Sequence, residues 1–484
     1  MGEENVKSKV ISGLVWKFAE RISAQLVTFI VSVVLARLLS PEHYGAIAIV
    51  NIFIALANVF VVSGFGNSLI QKKDADDTDF SSVFYFNIII SVLMYLIVFF
   101  CAPVIASFYK MEILSPVLRV MGLRLIVAGI NSVQHAYVAR HMLFRRFFWS
   151  TLGGTLASGV VGIVMAYQGF GIWALAVQYM TNTTVDTLVL WFTVKWRPRF
   201  LFSIKRLRRL FSYGWKILVS ALLETGYNEL RSLVIGKMYT SADLAYYNKG
   251  KSFPNLFVTN INSSIQSVLF PAMANNQDKK EQVKAMMRRS IRISSYIMLP
   301  LMTGLALVAE PFIKLILTEK WLPCVPYLQI ACFVMAFMPI HTANLQAIKA
   351  MGRSDIFLKL EIIKKITGLA ILLFSMRYGV LAIALSGTLS TILSTIINSY
   401  PNKNLIGYSY FEQIKDLFNG IIPLFVMSLV VCLTGTLNKN ELFLLVAQVL
   451  VGMVAYIVIS VMTKNDSFMY IYGIVKNFLK GMKH

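Results

Sequence analysis

The chain is expected to be an all-α membrane protein: about fourteen transmembrane helices, arranged as two six-helix lobes in parallel repeat plus two C-terminal helices. Composition carries that expectation. Residues of the AVILMFWYC set make up 57%, charged residues 14%, and mean hydropathy is +0.66. A water-soluble chain of 484 residues would need far more polar surface to cover its core. Each bilayer crossing takes roughly 20 apolar residues, so fourteen would use roughly 280 and leave only short loops.

In order, the apolar segments place crossings at residues 11–36, 43–66, 80–105, 114–138, 147–167, 170–194, 213–237, 243–272, 291–317, 323–348, 355–376, 379–400, 413–435 and 441–463. The first is expected to stay as a crossing and not to be a removable signal peptide, since no small-residue cleavage site follows it. The organisation expected is an N-lobe (1–194), a basic amphipathic cytoplasmic linker (195–212), a C-lobe (213–400), helices 13 and 14 (401–463) and an amphipathic cytoplasmic tail (464–484).

Lys+Arg number 46 against 23 Asp+Glu, a net charge of +23. On a soluble chain that surplus would point to nucleic acid; here it reads as the positive-inside rule, and no nucleic acid partner is expected. With alternate loops on opposite sides, 28 cations fall on the side of the N-terminus and 6 on the other. Both termini are therefore expected in the cytoplasm. The linker KWRPRFLFSIKRLRRLFS mixes bulky apolar side chains with seven cations and is expected to lie in the inner interface, its cations on anionic headgroups of membrane lipids. In the tail, Phe468, Tyr470, Tyr472 and Phe478 are expected to be interfacial anchors.

Residues 1–400 carry an internal repeat. Trp16-Lys17 recurs as Trp215-Lys216, and VLARLLSPEHYG from Val34 matches VIGKMYTSADLA from Val234, at offsets of 199 and 200. Gly171-Ile-Trp-Ala-Leu-Ala recurs from Gly379, 208 residues on; Pro103 and Pro311 share that offset, each expected at a helix end. A unit of six crossings makes both copies enter the membrane from one side, a parallel repeat of the kind that transporters rock against each other.

Charges at bilayer depth cost about 2.5–3.5 kcal/mol at a helix centre and belong on wet or protein-lined faces. In the first crossing Lys17, Arg21, Gln25, Thr28 and Ser32 are spaced 4, 4, 3 and 4; Lys216, Ser220, Glu224, Tyr227 and Arg231 repeat that spacing in the seventh. Such spacing puts each set on one helix face. Lys249 and Lys251 open the eighth crossing, whose stripe continues through Asn255, Thr259, Asn262 and Gln266. The second offers Asn51 and Asn58, the fourth Arg124, Asn131 and His135, the tenth His341 and Asn344. Arg21, Arg124, Arg231, Lys17, Lys216, Lys249 and Lys251 are the candidate substrate-binding cations of a water-filled cavity. Lys17 and Lys216 are equally open to snorkelling to the headgroups. Glu20, Glu224 and Glu229 are either their counter-ions or ion-coupling carboxylates, the first preferred. His135 and His341 are expected to be hydrogen-bonded structural residues. A cationic cavity suits a phosphate or diphosphate head.

Cys101, Cys324, Cys332 and Cys432 have no metal-ligand spacing and read as packing residues. The acidic run Asp74-Ala-Asp-Asp77-Thr-Asp79 reads as a solvated inside loop, not a metal site. No Walker loop occurs, so ATP is not expected to drive the chain directly. No catalytic residue, metal or cofactor is expected, and the chain reads as no enzyme.

LARLLSPEHYGAIAI, GFGNSLIQKK, GFGIWALAVQ, FSYGWK, ADLAYYNKGKSFPNL, VLFPAMA and MGRSDIFLKLEIIKK closely resemble the polysaccharide-exporter family. That family includes the Wzx-type O-antigen, colanic-acid and teichuronic-acid flippases of the multidrug/oligosaccharidyl-lipid/polysaccharide superfamily. The resemblance covers nearly the whole chain. It implies two six-helix lobes plus two C-terminal helices in a bacterial inner membrane. It also implies a cargo, the oligosaccharide repeat unit on undecaprenyl diphosphate, turned from the cytoplasmic to the periplasmic leaflet for surface polysaccharides such as lipopolysaccharide. A polysaccharide polymerase and glycosyltransferases are its implied partners in that route, and the chain is expected to act as a monomer. Pro41 and Gly45 are expected to shape the turn after the first helix. Where the family often has a basic residue, Ala and then Arg after YYN, this chain has Lys249-Gly-Lys251. The rival readings are a multidrug/cation antiporter, a peptidoglycan-precursor flippase, and a membrane polymerase or polyprenyl-linked glycosyltransferase.

Overall fold

The computed structural model describes residues 3–62, 65–72, 74–436 and 440–481, with 3–11, 14, 67, 213, 475 and 478–481 described by backbone alone. Expectations resting on the side chains of Lys7, Lys9, Lys73, Lys439, Phe478, Lys480 and Lys483 lie outside the described residues. Every regular element among the described residues is a helix. They fall into two compact units, Met1–Ala245 and Tyr246–His484.

The first unit contains α1 (Glu3–Leu38), α2 (Pro41–Val62), α3 (Phe65–Gln71), α4 (Asp77–Tyr109), α5 (Leu114–Arg140), α6 (Phe144–Tyr167), α7 (Ile172–Thr193) and α8 (Ile204–Met238). It also holds the first turn of α9 (Ser241–Ala274). Helix α2 is its centre: eleven of its 22 residues are buried, against α4, α5, α7 and α8. Gly45 lets the start of α9 come close to the start of α2, since a Cβ there would stand 1.7 Å from the Ser241 carbonyl oxygen. The turn residue thus serves close helix approach as well as the turn itself.

The acidic run is not a solvated loop. Asp76 caps α4 by accepting from the Asp79 amide, and the Asp79 carboxylate accepts in return from the Asp76 amide. Asp79 is fully buried and paired with Lys72, while Arg206 donates to both Asp76 carboxylate oxygens at 2.5 Å. Arg199 lies 3.1 Å from Asp77. The linker therefore folds back onto the start of α4, and the Arg206 guanidinium holds the Asp76 carboxyl down at about 2. Trp196 is buried against Phe80 and Phe84 beneath these pairs. Two of the cations expected on lipid headgroups are thus spent on carboxylates of the chain itself. Lys205, Arg208 and Arg209 stay exposed beside Phe200 and Phe202.

The second unit holds the rest of α9, then α10 (Lys280–Leu307), α11 (Ala309–Leu317), α12 (Val325–Ala336), α13 (Met338–Ala350), α14 (Ser354–Ser375) and α15 (Val380–Ile406). There follow α16 (Tyr410–Leu417), α17 (Ile421–Thr434), α18 (Glu441–Met462) and α19 (Asp466–Gly481). Two expected crossings are broken by proline. Pro311 has no N–H for the Leu307 carbonyl, and α10 gives way to α11 at Val308; Pro339 does the same to Met335, separating α12 from α13 at Phe337. Pro103, by contrast, lies inside an unbroken α4, so it marks no helix end. In the tail, Phe468 and Ile471 pack against Tyr296, Met427, Val431 and Tyr456. Tyr470 and Tyr472 are exposed, but Phe468 is turned inward and is no interfacial anchor.

The repeat registers in the secondary structure. Helix α1 ends at Leu38 and α2 begins at Pro41; α8 ends at Met238 and α9 begins at Ser241. Gly171 and Gly379, directly before α7 and α15, both take positive φ, +55° and +102°, where a side chain would be strained.

Ten segments among the described residues are long and apolar enough to cross a membrane, so the protein is an all-α, multi-pass membrane fold. The four further crossings expected are helices α7, α8, α9 and α14, of 22, 35, 34 and 22 residues. Each is long enough to span but carries more polar residues. Helices α17 and α18 expose Phe425, Leu429, Phe443 and Val454, the surface of helices that face lipid.

Candidate functional site: a polar cavity in the first unit

A cavity of about 750 Å³ opens within the first unit. Its polar wall comes from three helices: Asn51 and Asn58 on α2, Arg124, Asn131 and His135 on α5, and Tyr179, Asn182, Thr183 and Asp186 on α7. On each helix these residues recur at three, four or seven positions, so one face of each is polar.

Arg124 stands ten residues, roughly 15 Å, along α5 from Leu114, in the middle third of a 27-residue helix long enough to span a ~30 Å hydrocarbon core. Its Nε donates to Thr183 Oγ1 at 3.2 Å, and the guanidinium lies 5.2 Å from the centre of the Tyr179 ring. Among the described residues no carboxylate lies within ion-pair distance of it, and its two Nη groups have no hydrogen-bond partner. They are left to whatever fills the cavity.

Asp186 is held apart from Arg124. Its Oδ2 accepts from Asn131 Nδ2 at 2.8 Å and lies 3.2 Å from His135 Nε2. His135 in turn stacks on Phe147, with ring centroids 4.9 Å apart. One arginine and one carboxylate therefore share this wall, each with neutral or imidazole partners. The cavity is less one-sided in charge than the cation count of the sequence implied, because Asp186 was not among the candidate residues.

The other candidates are distributed as follows. Lys17 and Glu20 on α1 form a 2.8 Å ion pair; Glu20 also accepts from Thr151 Oγ1, and the ammonium lies 5.2 Å from the Phe147 ring at the cavity edge. Arg21 is exposed on α1. On α8, Lys216 and Glu224 are exposed while Glu229 and Arg231 are half-buried. None of these lines the cavity. In the second unit Lys249 is buried, its ammonium 5.6 Å from the Trp321 ring. Lys251 lies 4.8 Å from the Tyr247 ring.

The second unit has its own polar cluster, and it is closed. His341 lies between Thr395 Oγ1 at 3.0 Å and Asn398 Nδ2 at 3.1 Å. Asn344 donates to Gln413 and accepts from Asn402, and all four amide residues are fully buried. Lys364 on α14 pairs with Glu361 at 2.6 Å. Among the described residues no group of three or more His, Cys, Asp or Glu is arranged to hold a metal ion.

The model of the polysaccharide biosynthesis protein family matches residues 34–326, more than half of the sequence. The chain belongs to that family. Within the family's range fall α2, α5 and α7, the three helices that build the polar wall. Curated relatives agree along most of their length. The chain is 24% identical to the lipopolysaccharide biosynthesis protein WzxC of Escherichia coli (strain K12), over 86% of this chain and 85% of that one. It is 23% identical to the succinoglycan biosynthesis transport protein ExoT of Rhizobium meliloti (strain 1021), over 93% and 92%. Among solved structures, the lipid II flippase MurJ in an inward closed conformation superposes with a TM-score of 0.76 at 15% identity, covering 94% of this chain and 99% of that one. An inward-facing multidrug resistance MATE transporter of the MOP superfamily gives 0.62 at 15%, covering 79% and 95%. This family member therefore has the fold of that superfamily.

Proposed function

We propose that the protein is a flippase for undecaprenyl-diphosphate-linked oligosaccharide, carrying it from the cytoplasmic to the periplasmic leaflet of a bacterial inner membrane. The lobes that alternate access are residues 1–194 and 213–400, in a chain of fourteen crossings with both termini in the cytoplasm. The observation that carries the reading is Arg124: a guanidinium on the wall of a polar cavity that, among the described residues, has no carboxylate partner. A diphosphate is the anion that such a planar fork binds bidentately. The neutral amides and hydroxyls around it suit sugar hydroxyls, which need hydrogen bonds but no charge. Arg21, Arg231, Lys17, Lys216, Lys249 and Lys251 supply further positive charge along the substrate's route, with Glu20, Glu224 and Glu229 as counter-ions. The relatives that carry polysaccharide names support the substrate class.

A membrane potential negative inside drives the anion outward by about 2.3 kcal/mol per charge per 100 mV across the full field. The test is the purified protein in proteoliposomes with a fluorescent undecaprenyl-diphosphate oligosaccharide in both leaflets. Protein-dependent exposure of inner-leaflet glycan to an external glycosidase is expected. No exposure beyond that of empty liposomes, or exposure only with a peptide-bearing headgroup, overturns the reading.

A further inference from the structure

A second cavity, of about 600 Å³, lies wholly within the second unit between α9 and α10. Its walls are Ile261, Ile265, Val268 and Ala272 from α9, with Ile293 and Ile297 from α10. Three of the polar side chains nearby bond to their own helices: Asn260 Nδ2 donates to the Leu256 carbonyl, and Ser264 and Ser294 donate to the Asn260 and Ser290 carbonyls. The groove therefore offers mostly hydrocarbon contact. Ile261 to Ala272 spans eleven residues, roughly 17 Å along the helix, about one leaflet of a ~30 Å core.

Arg289 closes one end of this groove. Among the described residues it has no carboxylate partner, unlike its neighbours Arg288 and Arg292, which both pair with Asp416. Its guanidinium lies over the Tyr470 ring, 5.1 Å from the centroid. An apolar trough with a single cation at its end matches an anionic lipid, chain in the trough and phosphate on the arginine. The same helix α9 carries the stripe Lys251, Asn255, Thr259, Asn262 and Gln266, which lies about 110° around the axis from the groove face. A phospholipid keeps its headgroup at the interface and has no use for a polar stripe that climbs into the bilayer. A lipid whose head is carried inward while its tail stays beside α9 uses both faces.

We infer that the α9–α10 groove holds the polyprenyl tail of the lipid-linked substrate, with Arg289 meeting its diphosphate at the cytoplasmic interface. The inference rests on the flippase reading for its ligand and adds the site where the tail rides. Loading then starts at Arg289, and the head passes to the stripe of α9 while the tail slides along Ile261–Ala272.

The test uses the full-length protein in nanodiscs of phosphatidylethanolamine and phosphatidylglycerol. The probe is a C55 polyprenyl diphosphate carrying a diazirine in its chain. Photolabel is expected on residues 261–272 and 286–297, competed by unlabelled undecaprenyl diphosphate and not by added phosphatidylglycerol. Ala272→Trp fills the groove and is expected to cut labelling at least fivefold; Ile293→Trp serves where that variant loses its monodisperse profile. Arg289→Gln is expected to weaken labelling by the diphosphate probe at least threefold and to leave that by the uncharged polyprenol unchanged. Label mapped elsewhere, label removed equally by phosphatidylglycerol, or label insensitive to both tryptophan variants overturns the inference. Groove labelling without flipping in proteoliposomes counts against the transport reading alone. Full flipping by Ala272→Trp counts against the groove alone.

Discussion

His135 Nε2 stands 3.2 Å from Asp186 Oδ2, joining α5 to α7 across the wall of the first unit's cavity. Asn131 donates to the same oxygen at 2.8 Å, so one carboxylate organises two residues of the facing helix. Asp186→Ala leaves both without this acceptor, and stranding a buried donor such as the Asn131 amide costs about 1–3 kcal/mol. Asp186→Asn keeps the size and an oxygen. Thermal unfolding in detergent is expected to fall for the alanine variant and to be largely restored by the asparagine. Equal melting of the two variants contradicts this account of the carboxylate.

Gly45 is a packing requirement. A β-carbon there would lie 1.7 Å from the Ser241 carbonyl oxygen, which is main chain and has no rotamer to escape into. Gly45→Val forces the starts of α2 and α9 apart and is expected to cost at least the ~1–3 kcal/mol typical of overpacking. Loss of folded protein from the membrane fraction is the readout; wild-type accumulation contradicts the close approach.

The latch at the start of α4 is acid-sensitive. The Asp76 carboxyl sits at about 2 in the fold against an ordinary 3.8, because Arg206 hydrogen-bonds its charged form. Its stabilisation is therefore fully present above pH 3.8 and is lost as pH falls through about 2. The amides of Arg199 and Ser203, which donate to Ser81 and Ser82 hydroxyls, report the docking of the linker. Their hydrogen-exchange protection is expected to fall over that window in the wild type. Arg206→Gln should already show the weaker protection at neutral pH.

Arg21 and Arg231 lie outside the cavity wall, on α1 and α8. On the flippase reading each adds charge along the route without being the principal contact. Arg21→Gln and Arg231→Gln are expected to lower flipping less than Arg124→Gln does. A loss larger than that of Arg124→Gln moves the principal contact to α1 or α8.

Helical periodicity made much of this legible. Asn51 and Asn58, and Arg124, Asn131 and His135, stand out as polar positions on apolar helices, and they do meet in one cavity. The α7 wall escaped, although Tyr179, Asn182 and Asp186 follow the same spacing, because a lone carboxylate among threonines resembles an ordinary polar helix. Long-range partners were not readable at all. Nothing local announces that Arg206 reaches back 130 residues to Asp76, so the acidic run looked like solvated loop. Prolines were ambiguous for a physical reason: Pro339 interrupts its helix while Pro103 is absorbed within α4. The paired histidines differ likewise. His341 is enclosed by Thr395 and Asn398, and His135 faces an open cavity. Neighbours from other helices decide that difference.

The most direct measurement is the flipping rate of fluorescent undecaprenyl-diphosphate oligosaccharide by Arg124→Gln and Arg124→Lys in proteoliposomes, at matched folded protein. The glutamine variant is expected to lose tenfold or more, and the lysine, charged but without the planar fork, to retain an intermediate rate. Wild-type flipping by Arg124→Gln would contradict the claim that this cavity receives the substrate's phosphates.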